Sequence, residues 1–185
     1  MIVFEPKTPK PAAGFTLMEV LVTVIILSIG LLGVAGLQFG SLRGNQEALH
    51  SSIAAALAAE GADRIRANLP GVRNPNTGEA TRTEYDLITE QGTEPACITG
   101  TGCSYEYLAQ HDAYEWIKNI KALLPGGEGT ICRDATPYDG IDSANPACSG
   151  GNNAQGLAVF AVKVWWDHDR DSSTPLLAYR VSIVP

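Results

Sequence analysis

The longest feature of the hydrophobic pattern is an uncharged stretch from Val20 to Leu42. At about 1.5 Å rise per residue, an α-helix over this stretch reaches about 35 Å, enough to cross a bilayer hydrocarbon core of about 30 Å. Glu19 lies directly before the stretch. A carboxylate beside lipid costs several kcal/mol unless a partner neutralises it. The pattern therefore predicts a membrane-spanning helix with one acidic residue at its N-terminal end.

The helical pattern continues beyond Leu42 but becomes amphipathic. Apolar residues recur at spacings near multiples of 3.6, and charged residues occupy the other faces. Pro70 and Gly71 then end the pattern. We therefore predict one helix from about Phe15 to Asn68, which is hydrophobic over 15–42 and lies against a domain over 43–69. The apolar positions of its second half are Leu42, Leu49, Ile53, Leu57 and Ile65.

The remainder of the chain, residues 70–185, has the pattern of one small α+β domain. A short strand is expected over Glu84–Thr89, a second helix over about Tyr105–Leu124, and a further strand beginning at Ile131. Alternating side chains over 158–166 and 177–183 predict a C-terminal hairpin with one apolar face on the long helix. The expected fold is a long N-terminal helix packed on a small antiparallel sheet, with one extra helix.

Glycines recur in and just after the apolar segment at spacings of three and four residues. Such small-residue spacing lets a second helix approach closely, and each glycine also weakens a helix by about 1 kcal/mol relative to alanine. We therefore expect these positions to serve close helix packing or local melting. They are Gly30, Gly33, Gly36, Gly40 and Gly44.

Charge and cysteine usage narrow the function classes. The chain has a formal net charge of −7, which argues against a general nucleic-acid clamp. Its four cysteines, Cys97, Cys103, Cys132 and Cys148, all follow the apolar segment, and an even number in an exported domain indicates two disulfides. Four cysteines permit three connectivities. We favour the neighbour pairing, because a bridge between Cys97 and Cys103 closes a small loop with two glycines, and one between Cys132 and Cys148 closes a long polar loop.

Few residues carry patterns typical of chemistry. Asp167, Asp169 and Asp171 alternate as in the start of a calcium loop, but the bend glycine and the closing acidic residue are missing. We therefore interpret this segment as a solvated hairpin tip. The cysteine spacings do not match a zinc site, and the three histidines lie far apart in the sequence. No catalytic residue, metal or cofactor is predicted, and we expect no enzymatic activity.

The residues at the head of the apolar segment, Gly14-Phe15-Thr16-Leu17-Met18-Glu19, resemble the class III leader of type IV prepilins. The resemblance implies a type IV pilin fold, with a leader over residues 1–14. It also implies cleavage after Gly14 by a prepilin peptidase, N-methylation of Phe15, and a charge-pairing role for Glu19. Cleavage would leave the new amino group one helical turn before the Glu19 carboxylate. An uncleaved signal anchor with Lys7 and Lys10 before its helix is the alternative interpretation.

A second, looser resemblance covers about a third of the globular region. Trp116, the segment Leu124-Pro125-Gly126-Gly127, and Cys132 together are similar to PilV-type minor pilins. That family implies a subunit held in the inner membrane, with a periplasmic domain, that later enters the pilus on the cell surface. Its partners would be other minor pilins, the major pilin and the pilus assembly platform, in a complex that primes or caps assembly. Adhesion, twitching motility or DNA uptake would follow downstream.

Two alternative functions remain open from the residues. A pseudopilin of a type II secretion system shares the same leader and assembles a short periplasmic filament. An anchored periplasmic binding domain that never enters a filament would lack the cleavage after Gly14. The N-terminal residue of the mature chain separates this last alternative from the other two.

Overall fold

The structure is a computed structural model that describes residues 14–74, 76, 84–88, 97, 102–152, 154–171 and 173–185. The predicted leader, apart from Gly14, and the Thr89 end of the predicted strand lie outside the described residues. The chain divides into two compact units, Met1–Asn45 and Gln46–Pro185.

The described elements follow the predicted order closely. They are α1 (Leu17–Ala67), a 3₁₀ turn (Leu69–Gly71), α2 (Tyr105–Leu123), β1 (Glu128–Arg133), β2 (Phe160–Trp166) and β3 (Leu177–Ile183). The fold is α+β and type IV pilin-like, as predicted, with two helices, a three-stranded antiparallel sheet and two disulfides. Proline at position 70 falls in the 3₁₀ turn that follows α1, because its ring removes a donor and clashes with a continuing helix.

The sheet has the order β1-β2-β3, so β2 is its central strand. Both pairings are antiparallel and run one residue to one residue, with Thr130 opposite Lys163 and Val162 opposite Val181. The hairpin predicted from alternation is confirmed, and β3 has the predicted bounds. A regular register of this kind fixes which side chains share a face of the sheet.

The core of the second unit lies between the sheet and the two helices. Trp116 of α2 donates its indole N–H to the carbonyl oxygen of Leu57 in α1 at 2.7 Å. Gly61 lets these elements approach, since a Cβ there would lie 2.9 Å from Val162 Cγ1 and 3.1 Å from the Trp116 ring. The largest contributors to the core are Leu57, Ile65, Tyr85, Trp116, Ile117, Ile120, Phe160, Val162, Val164 and Trp166. The predicted apolar face of the hairpin therefore does pack on α1.

The second half of α1 is predicted to lie against a domain, and within the second unit the apolar residues of its later turns do so. Leu49 is exposed and Ile53 is half-buried, whereas the later positions of the stripe are buried, namely Ala54, Leu57, Ala58, Gly61, Ala62 and Ile65. Periodicity marked a continuous apolar stripe, but a stripe is buried only where a neighbouring element lies across it. Within the described residues the sheet and α2 cover only the later turns of the stripe.

The strand predicted over Glu84–Thr89 is also wrong as far as the structure describes it. Residues 84–87 form turns and bends, and only Ile88 pairs, in an isolated bridge with Ile131 of β1. Leu87 has a φ of 57°, in the left-handed region, which breaks an extended backbone. Hydrophobic alternation alone carries no information about such a reversal.

The central strand β2 is buried on both faces, a feature that alternation did not reveal. Phe160, Val162, Val164 and Trp166 belong to the core between the sheet and the helices, and the opposite face, which includes Lys163 and Trp165, is also buried. The connection between β1 and β2 lies over this second face, because carbonyl oxygens of Asp139 and Pro146 accept hydrogen bonds from the Lys163 ammonium. A loop predicted to be simply polar therefore forms a second layer on the sheet.

Candidate functional site

The predicted processing site lies just before α1 begins. Gly14, Phe15 and Thr16 have no regular secondary structure, and helix starts at Leu17. Phe15 is 81% exposed, and a side chain on Gly14 would meet no neighbouring atom. The peptide bond between Gly14 and Phe15 is therefore in non-helical, accessible backbone, the state in which an endopeptidase can engage it.

Thr16 caps the first turn of α1, a role that the sequence analysis missed. The Glu19 backbone N–H lies 3.2 Å from Thr16 Oγ1 and 3.1 Å from the Thr16 carbonyl oxygen. A Thr followed three residues later by Glu, directly before an apolar run, is the signature of a capping box. That signal was present in the sequence. The Thr16 side chain and the Glu19 backbone N–H form the observed half of this motif, so Thr16 helps to start the helix.

Glu19 is exposed in the first turn of α1. The unpaired N–H groups at a helix N-terminus favour a negative charge there by about 0.3–1 kcal/mol. The amino group predicted to pair with this carboxylate comes into existence only when the Gly14–Phe15 bond is cut. The charge-pairing role therefore stays a prediction.

The apolar part of α1 has the chemistry of a membrane-spanning helix. The described chain contains one helix that is long and apolar enough to cross a membrane, judged by length and composition. Its large side chains are exposed, from 42% at Val22 to 92% at Leu17. Two of its hydroxyls are satisfied internally, since Thr23 donates to the Val20 carbonyl and Ser28 to the Val24 carbonyl. Internal satisfaction of polar groups is what a helix in hydrocarbon requires.

The five glycines of this region make no close side-chain contact with any described residue. A Cβ built at any of them meets no atom within 4 Å, in contrast to the crowded Gly61. Each of them still lowers helix stability by about 1 kcal/mol relative to alanine. Their cost is therefore not offset by any contact in the described chain. The predicted use in packing against other helices or in melting is untested.

The two disulfides join Cys97 to Cys103 and Cys132 to Cys148, which is the neighbour pairing favoured in the sequence analysis. The second bridge ties β1 to the end of the loop that covers the back of the sheet. The described chain has no free cysteine. Both bridges lie in the second unit, where they restrict polar connections that contribute little to the core.

A buried ion cluster holds the loop between β1 and β2 in place. The Lys163 ammonium is fully buried and lies 2.5 Å from Asp134 Oδ2 and 3.0 Å from Asp139 Oδ1. It also donates to the carbonyl oxygens of Asp139 and Pro146 at 3.2 and 2.8 Å. Burial by itself would raise the pKa of Asp134. The hydrogen bonds from Lys163, Thr136 and Ser149 outweigh burial and hold that pKa below its ordinary value.

A second polar network joins α1, α2 and the segment around Tyr85. Arg64 Nη1 donates to Asp112 Oδ1 at 2.8 Å, and the Tyr85 hydroxyl donates to Asp112 Oδ2 at 2.5 Å. The Asn68 amide donates to the Tyr85 oxygen at 3.1 Å. Burial and the neighbouring carboxylate raise the pKa of Tyr85, so this phenol stays protonated. Nothing in the local sequence pattern indicated this network, because its members are far apart along the chain.

The acidic segment after β2 uses its carboxylates for its own turns. Asp167 accepts hydrogen bonds from the backbone N–H groups of Asp169 and Arg170. Asp171 accepts hydrogen bonds from the backbone N–H and the hydroxyl of Ser173. Asp169 accepts the hydroxyl of Thr174 at 2.8 Å. The described part of the chain has no group of three or more His, Cys, Asp or Glu side chains placed to hold a metal ion. The arrangement is that of a hydrogen-bonded hairpin connection.

The histidines lie in three different elements of the described chain. His50 is on α1, His111 on α2 and His168 in the connection between β2 and β3. His111 is buried and its Nδ1 has no hydrogen-bond partner in the described residues. These positions bring no two histidines together. The candidate functional residues are therefore those of the N-terminal motif, and the buried polar networks of the second unit hold its loops and helices in place.

Comparison with known proteins gives one finding. The family model described as the prokaryotic N-terminal methylation motif matches residues 9–35. No curated protein and no solved structure matches the chain. The matched range contains Gly14, Phe15 and Glu19 and the first part of the apolar helix. The motif, the exposed apolar helix and the α+β fold together support a type IV pilin-like protein with the processing motif of a prepilin peptidase substrate.

Proposed function

We propose that this chain is a minor pilin of a type IV pilus, which joins other minor pilins and the major pilin in a complex that primes or caps pilus assembly. The observation that carries the proposal is an apolar helix with exposed side chains, the first part of which lies within an N-terminal methylation motif. In such a subunit the helix exchanges lipid for the helices of neighbouring subunits, and protein contact takes the place of catalysis.

The glycines support the exchange from lipid to helices. Glycine in an exposed helix lowers stability without gain, unless a second helix or an extended state uses the position. None of the five is used within the described chain. A helix that must both span a bilayer and pack in a filament has a use for them.

Glu19 is proposed to set the register of this exchange. Once the chain is cut after Gly14, the Phe15 amino group is a cation one helical turn before the carboxylate. In hydrocarbon an unpaired charge is unfavourable by several kcal/mol, so the carboxylate will pair with its own amino group or with that of a neighbouring subunit. Pairing between subunits would align one helix against the next.

The first test is the N-terminus of the mature chain. N-terminal sequencing and mass spectrometry of the chain from its own cell should find Phe15 as the first residue, carrying one added methyl group. A chain that retains residues 1–14 would contradict the proposal and would favour an anchored domain outside any filament. A PilV-type role further requires that the chain copurifies with sheared pili.

The second test replaces the carboxylate. Glu19→Ala should leave cleavage largely intact and should reduce incorporation into pili, because only the pairing after cleavage needs the charge. Glu47→Ala is the matched control, since Glu47 is exposed on the same helix beyond the apolar segment. Equal pilus numbers and equal incorporation in both variants would refute the role of Glu19.

A further inference from the structure

The two outer edges of the sheet, on β1 and on β3, differ in whether other described residues form hydrogen bonds with them. At the β1 edge, Ile131 exchanges both backbone hydrogen bonds with Ile88, at 2.9 and 3.1 Å. Arg133 N–H donates to Asp86 Oδ1 at 2.8 Å, and its carbonyl accepts from the Gly150 N–H. The β1 edge is therefore closed by the chain itself.

The same hydrogen bonds identify the backbone groups that point outward on β3. The backbone N–H and C=O groups of successive residues in a strand point to alternate sides. Those of Ile131 and Arg133 point away from β2, so those of Thr130 and Cys132 point toward it. Through the one-to-one registers, Val162 and Val164 of β2 then face β3 and pair with Val181 and Tyr179. The N–H and C=O groups of Ala178, Arg180 and Ser182 consequently point out of the sheet.

The described residues give these outward groups no backbone partner. Edge strands in soluble proteins are usually protected by lysines, prolines, bulges or shortness. Over its seven residues β3 has no proline and no bulge, and it carries one charged side chain, Arg180. Proteins that expose such an edge present a template on which another strand can pair.

We propose that the β3 edge receives an extended strand of a different protein subunit, in an intersubunit β-sheet. This inference rests on the proposed function, since it identifies the surface by which the chain contacts another pilin. The expected strand carries apolar side chains opposite Tyr179 and Val181, because these extend the helix-facing side of the sheet. Tyr179 is 39% exposed and Val181 is partly buried against the core, so both have surface left to cover.

The positive charge of Arg180 indicates which kind of strand can pair with β3. Arg180 occupies the middle of β3, and its Nη2 donates to the Gly140 carbonyl at 2.7 Å, which leaves a fixed positive charge beside the edge. In the register that pairs all seven residues of two copies, Arg180 would lie opposite Arg180. Like charges directly opposite each other destabilise a strand pair. The occupant is therefore a strand of another subunit with an acidic side chain opposite Arg180, not a second copy of this chain.

The first measurement is amide exchange on the full chain in detergent. The N–H groups of Ala178, Arg180 and Ser182 should exchange at least about 100-fold faster than those of Tyr179 and Val181, which face β2. Equal protection of both sets would show that the chain itself covers the edge, and it would overturn the proposal.

The second measurement is photo-crosslinking in cells from a crosslinking side chain placed at Ala178 or at Ser182. The two positions should crosslink to one partner segment at sites about four residues apart, as a paired strand requires. Crosslinks to unrelated segments, or none in chains that enter pili, would overturn the strand pairing. A chain that is never cut after Gly14 would instead refute the proposed function.

A pair of variants at Ser182 tests the outward backbone N–H separately from the side chain. Ser182→Pro removes an outward N–H, which an edge strand tolerates, so its melting temperature should stay within about 5 °C of the parent. It should lose the crosslink from Ala178 at least about tenfold, whereas Ser182→Ala, which keeps the N–H, should retain it. Equal crosslinking by the two variants would overturn the proposal.

Discussion

The buried lysine of β2 offers the sharpest test of how the second unit is held together. Lys163→Met keeps the length of the side chain but removes its ammonium. The change leaves the fully buried carboxylate of Asp134 without its charge partner and takes a donor from the Asp139 and Pro146 carbonyl oxygens. Removing one partner of a buried ion pair costs about 3–5 kcal/mol, because the other charge remains in a poorly solvated site.

For a chain of this size, such a loss corresponds to a fall in melting temperature of about 10 °C. The measurement is thermal unfolding of the full chain in detergent, followed by near-ultraviolet circular dichroism. Trp165 and Trp166 lie on the same strand as Lys163 and are buried, so the signal reports on that region. Lys118→Met is the matched control. Lys118 is half-exposed and pairs with Glu115 on the surface of α2, so its loss should cost less than about 1 kcal/mol.

A second substitution separates the charge effect from a packing effect. Adding Asp134→Asn to Lys163→Met neutralises the stranded carboxylate and keeps an acceptor for the hydrogen bonds from Thr136 and Ser149. The double variant should therefore recover about half or more of the lost stability, since the uncompensated charge is the main cost. A double variant no more stable than Lys163→Met would show that packing, not charge, was responsible.

Acidification gives an independent check with a definite sign. The pKa of Asp134 is held below its ordinary value in the folded chain, so its stabilisation is present above that value, about 3.9. It is lost as the pH falls through the lower, folded-state pKa. In Lys163→Met burial without the Lys163 partner raises the pKa of Asp134, so protonation relieves the unpaired carboxylate already above about pH 4. The difference in stability between the two proteins should therefore begin to shrink above about pH 4 and continue to shrink as the pH falls toward the lower pKa of Asp134 in the parent. A difference below 1 kcal/mol at neutral pH, or one that stays constant on acidification, would refute the reasoning.

Three further predictions follow from packing, loop closure and the acidic connection. Gly61→Ala should lower the free energy of unfolding by about 1–3 kcal/mol through overpacking, whereas Gly44→Ala, in open space, should not lower it; urea unfolding compares them. Replacing Cys132 and Cys148 by alanine should cost about 3 kcal/mol in the same assay, and an unchanged midpoint would refute the loop-closure argument. Calcium should leave the melting temperature unchanged, and a rise abolished by Asp167→Ala would favour the pseudopilin alternative.

The order of the two helices and the C-terminal hairpin was predictable because each of these elements is encoded by local periodicity. The hairpin of β2 and β3 alternates with period two, and α1 and α2 follow the 3.6-residue period, so their bounds differ little from the predicted ones. The N-terminal motif was equally accessible, since it is a contiguous string of residues. The spacing from Thr16 to Glu19 also indicated the N-terminal cap of α1, although the sequence analysis did not use this signal.

Predictions failed where burial depends on which distant segment lies across a residue. Leu49 continues the apolar stripe of α1 yet is exposed, whereas Lys163 has the chemistry of a surface residue yet is fully buried. Helical or strand period says which side chains share a face. It does not say whether another segment covers that face.

The sequence by itself determined the processing motif, the apolar helix, the α+β element order and the number of disulfides, because these depend on near neighbours and on counts. Only the tertiary structure decided that the loop after β1 covers the back of the sheet, that Lys163 neutralises Asp134 beneath it, and that no described segment pairs with the outer edge of β3. The physical reason is that these features arise from pairings between residues far apart along the chain, whose energies become visible only when the backbone register is known.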